Sequence, residues 1–224
     1  MKLLKRRPRT FEIQVQDMTL HIQAGTDFNE ESRAAALSFW EQLHAYMIRN
    51  PEVASSKRPI TVPDDAPQIV REMVEAARRA GVGPMYSFQG AVTDHVGRFL
   101  AQEVDEVIVS CGGDYFIQSR RRQKLTVSRR AGGSTVAVVV PASKRGIGIA
   151  MTAGRGQAAI DGLAVLAESC MLADAAAAGV QAIVPKENGF AGALTYLKTV
   201  PGVLGGVVMV GERIGVAGGV EIVA

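Results

Sequence analysis

The sequence predicts an α+β fold, arranged as a single domain with two lobes over approximately residues 1–104 and 105–224. Helical and strand patterns are grouped along the chain rather than strictly alternating, which favours α+β over a doubly wound parallel sheet. A chain of 224 residues can bury one large core or two small ones. The hydrophobic fraction of 47% with 21% charged residues is ordinary for a globular protein.

The first 50 residues predict a hairpin followed by a long helix. Apolar residues alternate with polar ones over residues 10–24, which is the period of a half-buried strand. From Asp27 to Asn50 the period becomes helical, and Pro51 ends the helix. The apolar stripe expected on this helix consists of Leu37, Trp40, Leu43 and Met47.

Two further helices are expected before residue 105. Residues 51–64 are rich in proline and serine and predict a loop or an extended connector. Asp65 is expected to cap a second helix, which ends at Gly81. A third helix should cover roughly residues 87–102, and its glycines at positions 90 and 97 share one face that another element can approach closely.

Strand patterns dominate the chain from Glu106 onward, with two helices among them. The helices are expected over Cys170–Ile183 and from Asn188 to Lys198. The expected strands and apolar stretches cover residues 106–110, 115–118, 123–128, 134–140, 146–151 and 163–167, with a closing set over 203–223.

The positive charge of the chain is local. The formal net charge is +3, and most of the excess comes from the runs Lys5–Arg7, Arg120–Arg122 and Arg129–Arg130. Such runs are usually solvated edges of the protein. An acidic ligand such as a nucleotide pyrophosphate is the alternative reading, and nucleic acid is a minor one.

The cysteines and the N-terminal sequence indicate where in the cell the protein is expected. Cys111 and Cys170 are too few and too unpatterned for a disulfide framework. The basic N-terminus is not followed by an apolar signal core, and no apolar run approaches the ~20 residues that span a bilayer. We therefore expect a cytoplasmic protein with no membrane partner.

The most informative stretch is Cys111-Gly112-Gly113-Asp114, which directly follows the apolar run Val107–Val109. Paired glycines after a strand let the backbone approach a ligand where a Cβ would clash, and the acid that follows can orient a polar group or hold a cation. A hairpin turn also uses glycine and aspartate, so a purely structural role is an equally good explanation.

Asp174 is unusual because it is the only charged residue between Glu168 and Lys186. A carboxylate among alanines near the first turn of a packed helix is costly unless it has a partner. It could cap a helix end or favour the helix dipole. A Mg²⁺ ion, which takes one or two carboxylates plus carbonyls, waters and phosphates, would explain it equally well.

The remaining polar motifs are weaker. The loop Thr152–Gln157 has small residues after a strand and could bind phosphate through its N–H groups, although a plain turn is the commoner explanation. The three histidines, His21, His44 and His95, have no metal-binding spacing, and a structural role is the better explanation for His44. The sequence contains no Ser-His-Asp set, no Walker motif and no G-x-G-x-x-G.

Five segments, taken in order, resemble a branch of the ApbE-like proteins, a superfamily that includes the FAD:protein FMN transferases. The resemblance covers nearly the whole chain. Its segments are Gly83-Pro84-Met85, the helix from Gly90 to Gly97, Glu106–Asp114, Thr152–Gly154 and Leu172–Ala177.

The resemblance implies a two-lobed fold with largely antiparallel sheets and packed helices, and FAD in the cleft. In the transferases, Mg²⁺ bridges the pyrophosphate, and FMN passes to a threonine hydroxyl of an acceptor protein. By motif matching, Asp174 is the expected metal ligand. The expected cofactor-binding residues are Gly83, Met85, Cys111, Gly112, Gly113, Asp114, Thr152 and Gly154. A nucleotide or flavin ligand, an acceptor protein and a second copy of the chain are the expected partners.

Two departures from the family pattern predict weak transfer activity. The residue four positions after the metal aspartate is Ala178 instead of a threonine, and Gln157 stands where the family has a histidine. A glutamine cannot accept a proton as an imidazole can. A divergent transferase, a non-catalytic binding module and an accessory protein that uses basic edges such as Arg120–Arg122 all remain open.

Overall fold

The structure is a computed structural model and describes residues 8–129, 135–153 and 159–223. The helices are α1 (Asn29–Arg49), α2 (Pro51–Ser55), α3 (Gln68–Ala80), α4 (Phe88–Leu100), α5 (Cys170–Ile183) and α6 (Gly189–Thr199), with a 3₁₀ helix over Pro84–Ser87. The strands are β1 (Arg9–Val15), β2 (Met18–Ala24), β3 (Val107–Cys111), β4 (Asp114–Ser119), β5 (Gln123–Val127), β6 (Val136–Val140), β7 (Ser143–Ala153), β8 (Gly162–Ala167), β9 (Val203–Val210), β10 (Arg213–Gly218) and β11 (Glu221–Val223).

Two sheets contain these strands. The larger has eight strands in the order β1-β2-β3-β4-β7-β8-β9-β10, and the smaller has the order β11-β6-β5. Each pairing among the described residues is antiparallel. The α+β class with largely antiparallel sheets is therefore confirmed.

Both faces of the large sheet are covered over its central strands. Helices α1, α4, α5 and α6 pack against one face, and β5 of the small sheet packs against β7 and β8 on the other. Side chains alternate between the faces along a strand. Thus Phe116 and Ala150 join the core on the helical side, whereas Ile117 and Ile149 join the core between the sheets. Strand β8 is buried along its whole length, which its run of apolar residues reflects.

The two predicted lobes share the large sheet. Strand β2 pairs with β3 from Ala24↔Val107 to Leu20↔Cys111, so the hairpin at the start of the chain continues the sheet formed by its second half. Helix α4 then packs over β3 and β4. The division near residue 104 remains a prediction.

The predicted core stripe of α1 is partly wrong. Leu37 is 38% exposed, and the face that packs inward carries Ser32, Ala35, Ala36, Leu43 and Tyr46. Small residues are selected there because α1 packs closely against both β1 and α4. His44 is exposed and its ring stacks on Trp40 with centroids 4.5 Å apart, in agreement with the structural role expected for it.

The predicted connector and helix cap also need correction. Residues 51–55 form α2, because a proline is favourable in the first turn of a helix, where its missing N–H costs nothing. Helix α3 begins at Gln68 after Pro67, so Asp65 does not cap it. A proline also disfavours helical geometry in the residue before it, which delays the start of the helix.

Candidate functional site

Asp114 and Asp174 meet at the centre of the fold, although 60 residues separate them in the chain. Asp114 is the first residue of β4 and faces the helical side of the sheet, in register with Cys111 on β3 and Ala150 on β7. Asp174 lies on α5, which packs across β4, β7 and β8. The two carboxyl groups are hydrogen bonded to each other. We call Asp114 and Asp174 the acidic pair.

The turn beside the acidic pair requires both of its glycines. Gly112 and Gly113 have φ angles of +59° and +110°, and they close the β3–β4 hairpin in two residues. The Met151 N–H donates to the Gly113 carbonyl at 2.9 Å, and a Cβ on Gly113 would clash with the Met151 carbonyl oxygen. A Cβ on Gly112 would lie 3.0 Å from Oε1 of Gln89. The hairpin role of these glycines is therefore confirmed, and their contact with a ligand stays a prediction.

Asp174 also joins two helices. Its Oδ2 accepts a hydrogen bond from the Gly90 N–H, 3.2 Å away, in the first turn of α4. Gly90 permits this approach because a Cβ there would lie 2.7 Å from the Cys170 carbonyl oxygen and 3.0 Å from Cβ of Asp174. At Gly97 a Cβ would clash with the Phe116 ring. The expectation that these two glycines allow close approach is confirmed, with α5 at the first and β4 at the second.

Burial of the acidic pair keeps it partly protonated. Asp114 is 5% exposed, while Asp174 keeps part of its surface accessible. Desolvation and the charge of Asp174 raise the pKa of Asp114 well above its usual range. Desolvation also raises the pKa of Asp174 to about 7, against the hydrogen bonds from Gly90 and Asp114 that favour its charged form. Asp114 therefore holds the proton and donates it to the Asp174 carboxylate.

The thiols beside the acidic pair are neutral. Cys111 and Cys170 are both free and buried. Desolvation, reinforced by the neighbouring acids, raises the pKa of Cys111 to about 11 and that of Cys170 well above its usual value. Neither thiol is therefore suited to act as a general base near neutral pH.

Thr152 lies at the same end of the sheet as the acidic pair. It is two residues after Ala150, the β7 partner of Asp114, and so it points to the same face of the sheet. Ala178 lies one turn after Asp174 on α5 and is half-buried. Gly154 and Gln157, the other residues predicted for this region, fall outside the described residues.

Gly83 and Met85 lie in a segment that packs near α5. The 3₁₀ helix over Pro84–Ser87 contacts α3, α4 and α5. Gly83 precedes it, and a Cβ there would clash with the backbone of Ser56. Met85 is half-buried. The structure thus gives Gly83 a packing role, and the binding of a ligand by these two residues remains a prediction.

A second cluster of charges, which the sequence analysis missed, surrounds Asp94 on α4. Asp94 is 2% exposed and accepts a hydrogen bond from the Cys170 N–H at 2.7 Å, while Arg98 Nε lies 2.9 Å from its other oxygen. Glu72 of α3 contacts Arg98 and also His95, whose Nε2 lies 3.1 Å away. We call Glu72, Asp94, His95 and Arg98 the α4 charge cluster. The i, i+4 spacing of Asp94 and Arg98 on one helix was the available signal.

A cation balances the acids of the α4 charge cluster, whereas none balances the acidic pair among the described residues. Burial alone would raise the pKa of Glu72, but hydrogen bonds from His95, Arg98 and Gln68 hold it well below its usual range. Burial raises the pKa of Asp94, and Arg98 and the Cys170 N–H oppose that rise. In the described part of the chain, no cationic side chain pairs with Asp114 or Asp174.

The residues present are compatible with a magnesium ion at the acidic pair. Within the described ranges, no group of three or more His, Cys, Asp or Glu side chains is arranged to hold a metal. Mg²⁺ does not require such a group, because it usually takes one or two carboxylates and completes its shell with waters and substrate phosphates. Two hydrogen-bonded carboxyl groups without a cation offer that donor set.

Two cavities in the described part of the chain are lined by residues other than the acidic pair. One, of about 400 Å³, lies beside the α4 charge cluster and is lined by Arg71, Arg79 and Glu168 among others. Another, of about 250 Å³, lies at the start of α6 beside Lys186 and Arg213. No helix in the described residues combines the length and apolar character needed to cross a membrane.

Comparison with solved structures supports the fold. The chain matches a mutant of the flavin transferase ApbE from Vibrio cholerae with a TM-score of 0.62, at 13% identity over 94% of this chain and 97% of that one. It matches the apo flavinyl transferase ApbE from Pseudomonas stutzeri with a TM-score of 0.62, at 12% identity over 97% and 96%. At these identities the likeness shows a shared fold.

Sequence comparison gives nearer relatives. A UPF0280 protein from Methanosarcina barkeri is 30% identical over 213 residues, which cover 90% of this chain and 80% of that protein. A UPF0280 protein from Methanocella arvoryzae is 28% identical over 190 residues, covering 79% and 75%. The family model described as AbpE bacteria matches residues 1–189. The chain therefore belongs to this family of ApbE-like proteins, as its motifs indicated.

Proposed function

We propose that the chain binds FAD, or a related flavin dinucleotide, together with Mg²⁺ at the acidic pair, as a divergent and weakly active FMN transferase. The observation that carries the proposal is the acidic pair itself: two buried, hydrogen-bonded carboxyl groups beside a glycine turn. The solved structures with this fold include proteins named as flavin transferases, which gives the ligand class.

The charge balance at the acidic pair favours a divalent cation. Two carboxylates in contact within a low-dielectric site repel each other, so one of them keeps a proton. A cation can take the place of that proton and relieve the repulsion. Bound there, Mg²⁺ would offset the charge of a pyrophosphate while FMN is transferred and AMP departs.

The chain's own residues would hold such a site in place. The Gly90 N–H binds one oxygen of Asp174, which orients its carboxylate, and the first turn of α4 contributes its positive dipole end. Asp114 is fixed at the start of β4 by strand pairing on both sides. Thr152, on the same face of the sheet, supplies a hydroxyl at this end of β7.

A base for transfer is the missing component. Each histidine of the chain contacts a group away from the acidic pair: His21 contacts Glu12 at 2.9 Å, His44 stacks on Trp40, and His95 contacts Glu72. Both neighbouring thiols are neutral. We therefore expect FMN transfer or FAD hydrolysis to be slower than in transferases with an imidazole, by roughly 10² to 10⁴-fold.

The same observations favour a second candidate, a binding module without catalysis that keeps the flavin site. Variants that restore the family residues distinguish the two. If the chain is a divergent transferase, Ala178→Thr combined with Gln157→His should raise Mg²⁺-dependent AMP release from FAD, measured by chromatography. An unchanged rate in a double variant that still binds FAD would favour the binding module.

The proposal also includes partners of the chain and its location in the cell. An acceptor protein is required for transfer, and we retain it as part of the transferase candidate. Self-association of the chain and a cytoplasmic location are predictions from the sequence, which sedimentation and fractionation of cells would test.

Equilibrium dialysis with FAD tests the proposed function. We expect the unmodified chain to bind FAD more tightly with Mg²⁺ than with EDTA, and Asp174→Asn to lose that dependence on Mg²⁺. The matched control is Asp105→Asn, which neutralises an exposed carboxylate paired with Arg120. Equal FAD binding with and without Mg²⁺ would remove the metal from the proposal, and no binding of FAD, FMN or adenine nucleotides at millimolar concentration would overturn it.

A further inference from the structure

Helices α4 and α5 cap each other through two carboxylates. Asp94 of α4 accepts a hydrogen bond from the N–H of Cys170, the first residue of α5, with 2.7 Å between N and Oδ1. Asp174 of α5 accepts one from the N–H of Gly90 in the first turn of α4. In each helix the donor and the acid are four residues apart and so lie on one face. The four residues form a closed ring that joins the two helices.

The ring leaves little freedom for α5 to move relative to α4. A Cβ at Gly90 would lie only 2.7 Å from the Cys170 carbonyl oxygen, so the two backbones are in direct contact at that point. The approach at Gly148 of β7 is closer still, because a Cβ there would clash with the backbone of Ser169 and Cys170. The first turn of α5 is therefore held between α4 and the sheet.

The two acids of the ring differ in their remaining partners. The second oxygen of Asp94 lies 2.9 Å from Nε of Arg98, so this carboxylate is committed to a cation within the protein. Asp174 contacts the carboxyl group of Asp114 instead. Asp94 is thus an internal anchor, whereas Asp174 has no cationic partner among the described residues.

We propose that Asp94 is a positioning residue for the acidic pair. By holding the Cys170 N–H, Asp94 fixes the first turn of α5 and therefore the place of the Asp174 carboxylate, one turn further along, relative to Asp114. Because the proposal concerns the cation affinity of the acidic pair, it rests on the proposed function. Arg98, which also contacts Glu72, holds Asp94 in turn.

Binding of Mn²⁺, a paramagnetic substitute for Mg²⁺, tests this role. We expect Asp94→Ala to weaken Mn²⁺ binding to the FAD-saturated protein about tenfold or more, as is typical when a group that orients a metal ligand is lost. The measurement is the loss of the free Mn²⁺ signal in electron paramagnetic resonance. The matched control is Ser169→Ala, which removes the other cap of α5, the hydrogen bond from the Leu172 N–H to Ser169 Oγ. We expect that control to stay within threefold of the unmodified chain.

Amide exchange at Gly90 provides a readout that needs no metal. The Gly90 N–H is held by Asp174, so a displaced α5 should expose it to exchange in the metal-free protein. We expect Asp94→Ala to speed its exchange at least tenfold, measured by nuclear magnetic resonance, and Ser169→Ala to leave it within threefold. If Asp94→Ala does not fold, Asp94→Asn keeps the shape of the side chain and should change both readouts in the same direction by at least threefold.

The outcomes separate this inference from the proposed function. If Mn²⁺ affinity and Gly90 exchange both respond to Asp94 and not to Ser169, the positioning role stands. If the two substitutions act alike, or if neither readout responds to Asp94, it is overturned. If the unmodified chain binds no Mn²⁺, the proposed metal site fails, and the exchange rate of Gly90 alone then decides whether Asp94 positions Asp174.

Discussion

Asp94 and Asp174 have the same relation to the backbone but opposite electrostatic surroundings. Each accepts a hydrogen bond from the first turn of a neighbouring helix. Asp94 has the guanidinium of Arg98 on its other side, and Asp174 has the carboxyl group of Asp114. Burial raises the pKa of both acids. The charge of Arg98 opposes that rise at Asp94, whereas at Asp174 only hydrogen bonds from Gly90 and Asp114 oppose it.

Removing the cation from the α4 charge cluster should have the largest effect on stability. Arg98→Met leaves Asp94 and Glu72 without their shared partner, and an uncompensated buried charge is costly. Because Arg98 is partly exposed, we expect a loss near the lower end of the usual range, about 3 kcal/mol in the free energy of unfolding by urea.

Arg120→Met is the matched control, because Arg120 pairs with Asp105 on the surface. A surface pair of this kind contributes at most about 1 kcal/mol. Equal losses in the two variants would show that the α4 charge cluster is no better protected from water than a surface pair, and the comparison would fail.

Neutralising Asp174 should raise the free energy of unfolding, whereas Arg98→Met lowers it. The native pKa of Asp174 is raised to about 7, so the folded protein keeps a proton that the unfolded chain releases from about pH 4 upward. Stability contributed by this group is therefore full below pH 4 and is lost as the pH rises toward 7. The cost at pH 8 is at most about 4 kcal/mol.

We expect Asp174→Asn to stabilise the metal-free protein at pH 8, because the amide carries no charge to bury. The expected gain is about 2 kcal/mol rather than the full amount, because the amide gives up part of the hydrogen bonding of the carboxylate. The gain should shrink as the pH falls and vanish well below pH 4, where the unmodified acid is neutral in both states. Thermal unfolding at several pH values, with Asp105→Asn as control, measures this. A loss of stability at pH 8 would show that burial does not destabilise the Asp174 carboxylate.

Ser169→Ala should have the smallest effect on stability. It measures what a helix cap contributes when the capping residue carries no charge. The Ser169 hydroxyl accepts from the Leu172 N–H at 3.2 Å. Its loss should cost about 1 kcal/mol. The cost should be the same at pH 5 and pH 8, because no ionisable group is removed. A marked pH dependence in urea unfolding would mean that this cap is coupled to the acidic pair.

The sequence predicted elements well where periodicity is strong. The expected bounds of α5, Cys170–Ile183, are those in the structure. The antiparallel sheet followed from the resemblance and from the grouping of elements. The stripe on α1 was partly misplaced because three of its five buried residues, Ser32, Ala35 and Ala36, are small and carry little apolar signal.

The candidate site was predictable only in part, for a physical reason. A lone carboxylate among alanines identified Asp174, and a glycine pair after a strand identified Asp114. Their hydrogen bond depends on how α5 crosses the sheet, which the residues near either acid do not specify. The same holds for Asp94, whose partner Cys170 lies 76 residues away. Contacts between distant elements are set by tertiary packing.

Proton release on metal binding tests the central claim most directly. If Mg²⁺ takes the place of the proton shared by Asp114 and Asp174, its binding to the FAD-saturated protein at pH 8, where Asp174 is ionised and Asp114 keeps its proton, must release about one proton. Calorimetric titrations in buffers of different ionisation enthalpy measure that number. We predict about one proton for the unmodified chain and none for Asp174→Asn. Mg²⁺ binding without proton release, or with equal release in the variant, would contradict a cation site at the acidic pair.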